Sequence, residues 1–119
     1  MNLEHATYYT LKHLGMPANL WGYKYLHEAI MYLAKEPDAL HSMTKVMYPH
    51  VAKQFNTTPS RVERAMRHAI EYVFGHTDPS VLHDFFGNTS SVETGKMTNS
   101  QFIASMCEYI RMEVQYDEH

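Results

Sequence analysis

The sequence predicts an all-α fold, a compact bundle of five or six short helices containing a helix-turn-helix. Three observations carry that reading. Apolar residues recur at helical spacing almost throughout, no stretch sustains strand alternation, and Gly or Pro closes successive stripes at Gly15, Pro17, Pro37 and Gly75. At 119 residues the chain reads as one domain, residues 1–119. A chain of this size buries roughly 65% of its unfolded surface, enough for a core without staples. The lone Cys107 excludes an intramolecular disulfide framework and suits a reducing, cytoplasmic setting. No apolar run approaches the ~20 residues that span a bilayer, so no membrane partner is expected. The segment Met1-Asn2-Leu3-Glu4-His5 lacks the basic-then-apolar layout of a secretion signal.

The elements follow in order. Leu3, Thr7, Leu11 and Leu14 make a first stripe, stopped by Gly15 and Pro17. Asn19 is placed to cap a second helix whose face is Leu20, Tyr23, Leu26 or His27, Ile30 and Leu33, with Pro37 closing it. A third segment, about 42–55, carries Val46, Met47, Val51 and Phe55, and Pro49 is expected to kink it or split it. The fourth runs from about 59 to 74 and is expected to end at Gly75. Residues 76–99 are rich in Gly, Ser, Thr and Asn, with one apolar patch at Val81-Leu82 and Phe85-Phe86. A last helix opens at Thr98, where Thr98 and Gln101 have capping-box spacing, and its face is Phe102 or Ile103, Met106, Ile110 and Val114.

Enzyme chemistry finds little support. The nine histidines are scattered, and His27-Glu28-Ala29-Ile30-Met31 lacks the second histidine that a zinc-binding helix requires. There is no glycine-rich phosphate loop. We therefore expect no catalysis, no metal and no cofactor, and we read Cys107 as an inert core thiol.

Charge is more informative. The formal net charge is −3, yet residues 41–71 hold Lys45, Lys53, Arg61, Arg64 and Arg67 against Glu63 and Glu71 only. A basic block in an acidic chain suits a polyanion, while its plainer reading is a solvated helix face. Within it, residues of about 48–74 fit a helix-turn-helix. Ala52 is the small residue of the first helix, Phe55 anchors the turn, and Asn56 tolerates the left-handed conformation that the turn needs. Thr58 and Pro59 read as N-cap and first helical residue, with Ser60 and Glu63 offering a competing capping box.

On a helical wheel Val62, Ala65, Met66, Ala69, Ile70 and Val73 share an arc of roughly 140°, a buried face. Ser60, Glu63, Arg64 and Arg67 would then face a major groove. Arginine can bind guanine bidentately and glutamate can accept from cytosine. The plainer reading of the same residues is a solvated helix with a Glu63–Arg67 pair one turn apart.

The runs Thr44-Lys45-Val46-Met47-Tyr48-Pro49, Val51-Ala52-Lys53 and Phe55-Asn56-Thr57-Thr58 continue to His68-Ala69-Ile70-Glu71. Together they resemble the C-terminal effector domain of the master response regulator of sporulation in endospore-forming Firmicutes. Gly15-Met16-Pro17-Ala18, Gly22-Tyr23-Lys24-Tyr25-Leu26, Thr98-Asn99-Ser100 and Phe102-Ile103-Ala104 agree, so the resemblance covers nearly the whole chain in order.

The resemblance implies a six-helix transcription factor domain that binds short boxes in double-stranded DNA, often as tandem copies. It activates some promoters by touching the RNA polymerase sigma factor and represses others. Arg64, Arg67, Glu63 and His68 match residues at the family's DNA surface. Two departures stand out: no phosphoacceptor receiver domain is present in these residues, and residues 75–95, which include surface used for sigma contact, match less well. The acidic Glu113, Asp117 and Glu118 read as a solvated end.

The leading expectation is a sequence-specific transcription regulator. Ser60, Glu63, Arg64 and Arg67 read bases, while Lys45, Lys53, Thr58, Arg61 and His68 meet phosphates. The rival from another class is a helical interaction module that binds sigma factor or a full-length sporulation regulator. The charge of −3 favours the module, whereas the Arg64/Arg67 pair favours DNA.

Overall fold

Local chemistry sets where each helix starts and stops. The structure is a computed structural model that describes residues 2–87 and 94–117. In α1 (Leu3–His13) the Asn2 side chain accepts the His5 N–H at 2.8 Å. Its end is a Schellman turn at Gly15 (φ +81°): the Gly15 N–H reaches the Lys12 carbonyl and the Met16 N–H reaches that of Leu11.

The second helix, α2 (Trp21–Lys35), begins one residue later than expected. Leu20, not Asn19, occupies the cap position, without a side-chain hydrogen bond. The cause is local, because the Leu20 N–H closes a turn onto the Pro17 carbonyl and Asn19 is held inside that turn. Pro37 closes α2 as predicted and starts a 3-10 stretch, Pro37–Ser42.

The third helix, α3 (Met43–Gln54), removes one of the two outcomes expected of Pro49. Pro49 lies inside it and does not split it. Proline in a helix interior costs about 3 kcal/mol and forfeits one ladder bond. Here the ring is exposed, while Met47, Val51 and Ala52 on either side are buried, so packing holds the helix through the defect.

α4 (Pro59–His76) runs through Gly75 rather than ending there. The chain leaves the helix at Thr77, whose hydroxyl donates to the Leu14 carbonyl at 2.6 Å. The apolar patch of residues 81–86 belongs to a further helix, α5 (Pro79–Phe86), started by Asp78, which accepts from the Ser80 N–H. The final helix, α6 (Asn99–Asp117), opens with the reciprocal capping box. Thr98 N–H donates to Gln101 Oε1 at 3.0 Å, and Gln101 N–H donates to Thr98 Oγ1 at 3.1 Å.

Packing is centred on α2, which touches α1, α3, α4 and α6. Leu26, Ile30 and Leu33 of α2 meet Met47 of α3, Met66 and Ile70 of α4, and both Phe102 and Ile103 of α6 in one buried cluster. Leu26, rather than His27, takes the core position. Among the described residues the fold is entirely helical, and no helix is long and apolar enough to cross a membrane. Of the acidic terminal residues, Glu113 is exposed and Glu118 lies outside the described residues.

Cys107 is fully buried, and burial pushes its thiol from 9.0 up to about 11, with Arg111 pulling weakly the other way. Between those values the unfolded chain releases the proton and the folded chain keeps it, so stability falls as pH rises. The expected loss from pH 8.5 to pH 11, attributable to this thiol, is about 2–3 kcal/mol. Urea titrations of wild type and Cys107→Ala measure it. A wild-type pH dependence above pH 9 identical to that of Cys107→Ala would refute it.

Candidate nucleic-acid interface

The segment that gathers the basic residues is built around a short turn. α3 ends at Phe55, and Asn56 follows with φ +53°, the one non-glycine left-handed residue among those described. The Asn56 N–H reaches the Lys53 carbonyl at 3.4 Å, and the Thr57 N–H reaches that of Ala52 at 2.9 Å. This is the same Schellman closure as at Gly15, with asparagine supplying the left-handed residue. Thr58 then adopts an extended conformation and its side chain accepts the Arg61 N–H at 3.3 Å. With Pro59 in the first turn, Thr58 is the cap of α4, and the competing Ser60–Glu63 box does not form. Ser60 Oγ instead lies 3.5 Å from Thr58 Oγ1.

The buried side of α4 is the predicted one: Val62, Met66, Ala69, Ile70 and Val73 are buried, and Ala65 is partly so. Ala52 is buried beneath the turn, and Phe55 packs edge-on against Tyr25 at 5.2 Å. Its opposite side holds Ser60, Arg61, Arg64, Arg67, His68 and Glu71, all exposed. Arg64 and His68 make no hydrogen bond or ion pair among the described residues, nor do Lys45 and Lys53 on α3. Lys45 lies apart from the others, lining a groove with Ser100, Gln101 and Ala104 of α6.

Glu63 and Arg67 are paired. Arg67 Nη1 donates to Glu63 Oε1 at 2.9 Å, with both side chains substantially exposed. An exposed pair one turn apart is worth about 0.3–0.5 kcal/mol, so it biases the Arg67 rotamer without locking it. The pair forms one wall of a cavity of about 370 Å³ whose far wall is Lys96–Ser100, ahead of and within the first turn of α6.

Asn99 is the residue that sequence reasoning missed as a structural tie. It is buried, and its Nδ2 donates to Tyr48 Oη of α3 and to the Glu63 carbonyl of α4, each at 3.0 Å. Burial raises the Tyr48 phenol above its ordinary value, and the hydrogen bond from Asn99 partly lowers it again. One side chain thus fixes α6 to both helices of the turn segment. Asn99→Ala should cost about 1–3 kcal/mol in urea unfolding, since it leaves a buried acceptor unmade. A loss below about 0.5 kcal/mol would mean that the tie carries no weight.

A domain that is helical throughout its described residues, with Arg61, Arg64 and Arg67 exposed on one helix beside a left-handed interhelical turn, has the features of a small helical DNA-binding domain. Residues 7–110 match the family described as Sporulation initiation factor Spo0A C terminal, and the chain belongs to that family. Its members are DNA-binding regulatory domains of sporulation, the effector domains of response regulators, and not a family of enzymes.

Proposed function

We propose that this domain is a sequence-specific transcription regulator of sporulation-type genes, with α3 and α4 acting as a helix-turn-helix and α4 lying in the major groove of double-stranded DNA. The observation that carries the reading is the exposed face of α4, where Arg64 stands unpaired amid Ser60, Arg67, His68 and Glu71. Arg64 and Arg67 bind guanines, and Glu63 and Ser60 assist them or exclude wrong bases. Thr58, Arg61, His68, Lys53 and, at the far end of α3, Lys45 meet phosphates. The domain works in the cytoplasm, where its DNA is. It sits on DNA as tandem copies and touches the sigma factor through the region of 75–95, of which residues 88–93 lie outside those described.

The test is selection of duplexes from a random-sequence pool by the purified chain. A short recurring box is expected after a few rounds. A pool that binds but never converges would leave only a basic patch and overturn the reading.

Lys53 separates the two kinds of contact. Lys53→Ala should weaken the selected duplex and a scrambled one by the same factor and flatten the salt slope by about one. A loss confined to the selected duplex would move Lys53 from the backbone to a base.

A further inference from the structure

Trp21 is the only tryptophan of the chain, and it is 58% exposed at the start of α2. It is not an isolated surface aromatic. Its ring stacks on Tyr25 at 5.8 Å, meets Phe55 edge-on at 6.5 Å, and carries the Lys24 ammonium 4.4 Å from its centroid. Phe55 is the C-cap of α3, the last residue before Asn56, so the indole lies against the interhelical turn itself. Its N–H has no hydrogen-bond partner among the described residues.

The next residue fixes where this cluster lies relative to α4. Gly22 approaches α4 so closely that a Cβ there would strike the Ala65 carbonyl and come within 2.6 Å of the Ala69 Cβ. On the α4 wheel Ala65 borders the side that bears Arg61 and His68, whereas Glu63 and Arg67 lie at the opposite border, beside Ile70. The start of α2 therefore flanks the Arg61/His68 edge, and the start of α6 flanks the Glu63/Arg67 edge. A helix seated in a major groove about 12 Å wide has a phosphodiester strand on each side.

We propose that Trp21 and Lys24 are a further DNA contact of this domain, bound to the sugar-phosphate backbone that runs along the Arg61/His68 edge. The proposal rests on the DNA-reading assignment of α4. Indole N–H and ammonium both donate to phosphate oxygens, a contact that positions the domain and carries no sequence information. Charge selects the occupant. The first turn of α2 contains no acidic residue, Lys24 is held over the ring, and Lys53 and Arg61 stand on either side of the turn that Phe55 enters. An apolar protein face would have to strip water from the Lys24 charge without pairing it, whereas a phosphate pairs it.

A single tryptophan makes the test direct. The full chain is titrated into a labelled duplex taken from the selection, with duplex anisotropy and red-edge tryptophan emission followed together at two salt concentrations. We expect the emission to change along the anisotropy curve, and acrylamide quenching of Trp21 to fall in the complex. Lys24→Gln, checked for folding by circular dichroism, should weaken selected and scrambled duplexes alike, by about three- to tenfold, and lower the salt slope by about one. Saturating anisotropy with unchanged emission and unchanged quenching would overturn the proposal while leaving DNA reading by α4 intact. An absence of any anisotropy change would instead overturn that reading, and this proposal with it. Emission that shifts with protein concentration before DNA is added would assign the patch to contact between copies and refute the backbone contact.

Discussion

Gly22→Ala is expected to destabilise the domain by about 3 kcal/mol or more, lowering the melting temperature by roughly 10–15 °C. The two helices that meet at this point, α2 and α4, form the most extensive helix pair among the described residues. Their approach is set by glycine on one side and by Ala65 and Ala69 on the other. Most overpacking is relieved by a side chain that rotates away. Here one atom in the way is a backbone carbonyl oxygen within a helix, so relief requires moving a whole helix.

Gly75→Ala is the matched control. Gly75 also lies inside α4, yet a Cβ there meets nothing within 4 Å and its φ is an ordinary helical one. That substitution should raise stability by about 0.5–1 kcal/mol through the lost freedom of the unfolded chain. Thermal melts of both variants decide the matter. Equal melting temperatures would refute the close approach of α2 and α4.

The second large effect concerns the arginines. Arg64→Ala should cost about 1–3 kcal/mol on a selected duplex and relax the preference at one base pair. Arg67→Ala should cost a similar amount despite its pairing with Glu63. Magnitudes decide this, because leaving an exposed i,i+4 carboxylate gives up about 0.3–0.5 kcal/mol, while a bidentate guanine contact is worth about 1–3. On the proposed reading the pair is a resting arrangement that DNA would outcompete. Arginine variants that lose affinity equally on selected and scrambled duplexes would show that neither residue reads bases.

Much of this was legible in the sequence wherever a residue's effect is local. Gly15, Asn56, Thr58 with Pro59, and the Thr98/Gln101 box act over a few residues of chain, and each closes or opens a helix where its chemistry predicts. The buried stripe of α4 was legible for the same reason, since periodicity records which side meets the core.

The misses arise where local rules compete or where tertiary packing prevails. Asn19 is a better cap than Leu20, but the turn from Pro17 uses it first. Gly75 disfavours a helix by propensity, yet α4 runs one residue beyond it, and Pro49 stays inside α3, where Met47, Val51 and Ala52 are buried. The α5 helix is short and sits in a polar stretch, and its signals were the run Asp78-Pro79-Ser80, a cap followed by proline, and the one-turn spacing of Leu82 and Phe86. Asn99 had no local signal at all, because its partners are 36 and 51 residues away in the chain.

On the proposed reading α4 reads base sequence rather than merely attracting phosphates. Duplex anisotropy with the wild-type chain tests it most directly, comparing a selected box with its scrambled counterpart at two salt concentrations. Base reading predicts a preference of about 10³ or more that persists when salt weakens both affinities together. Equal, weak and steeply salt-dependent binding to the two duplexes would contradict it.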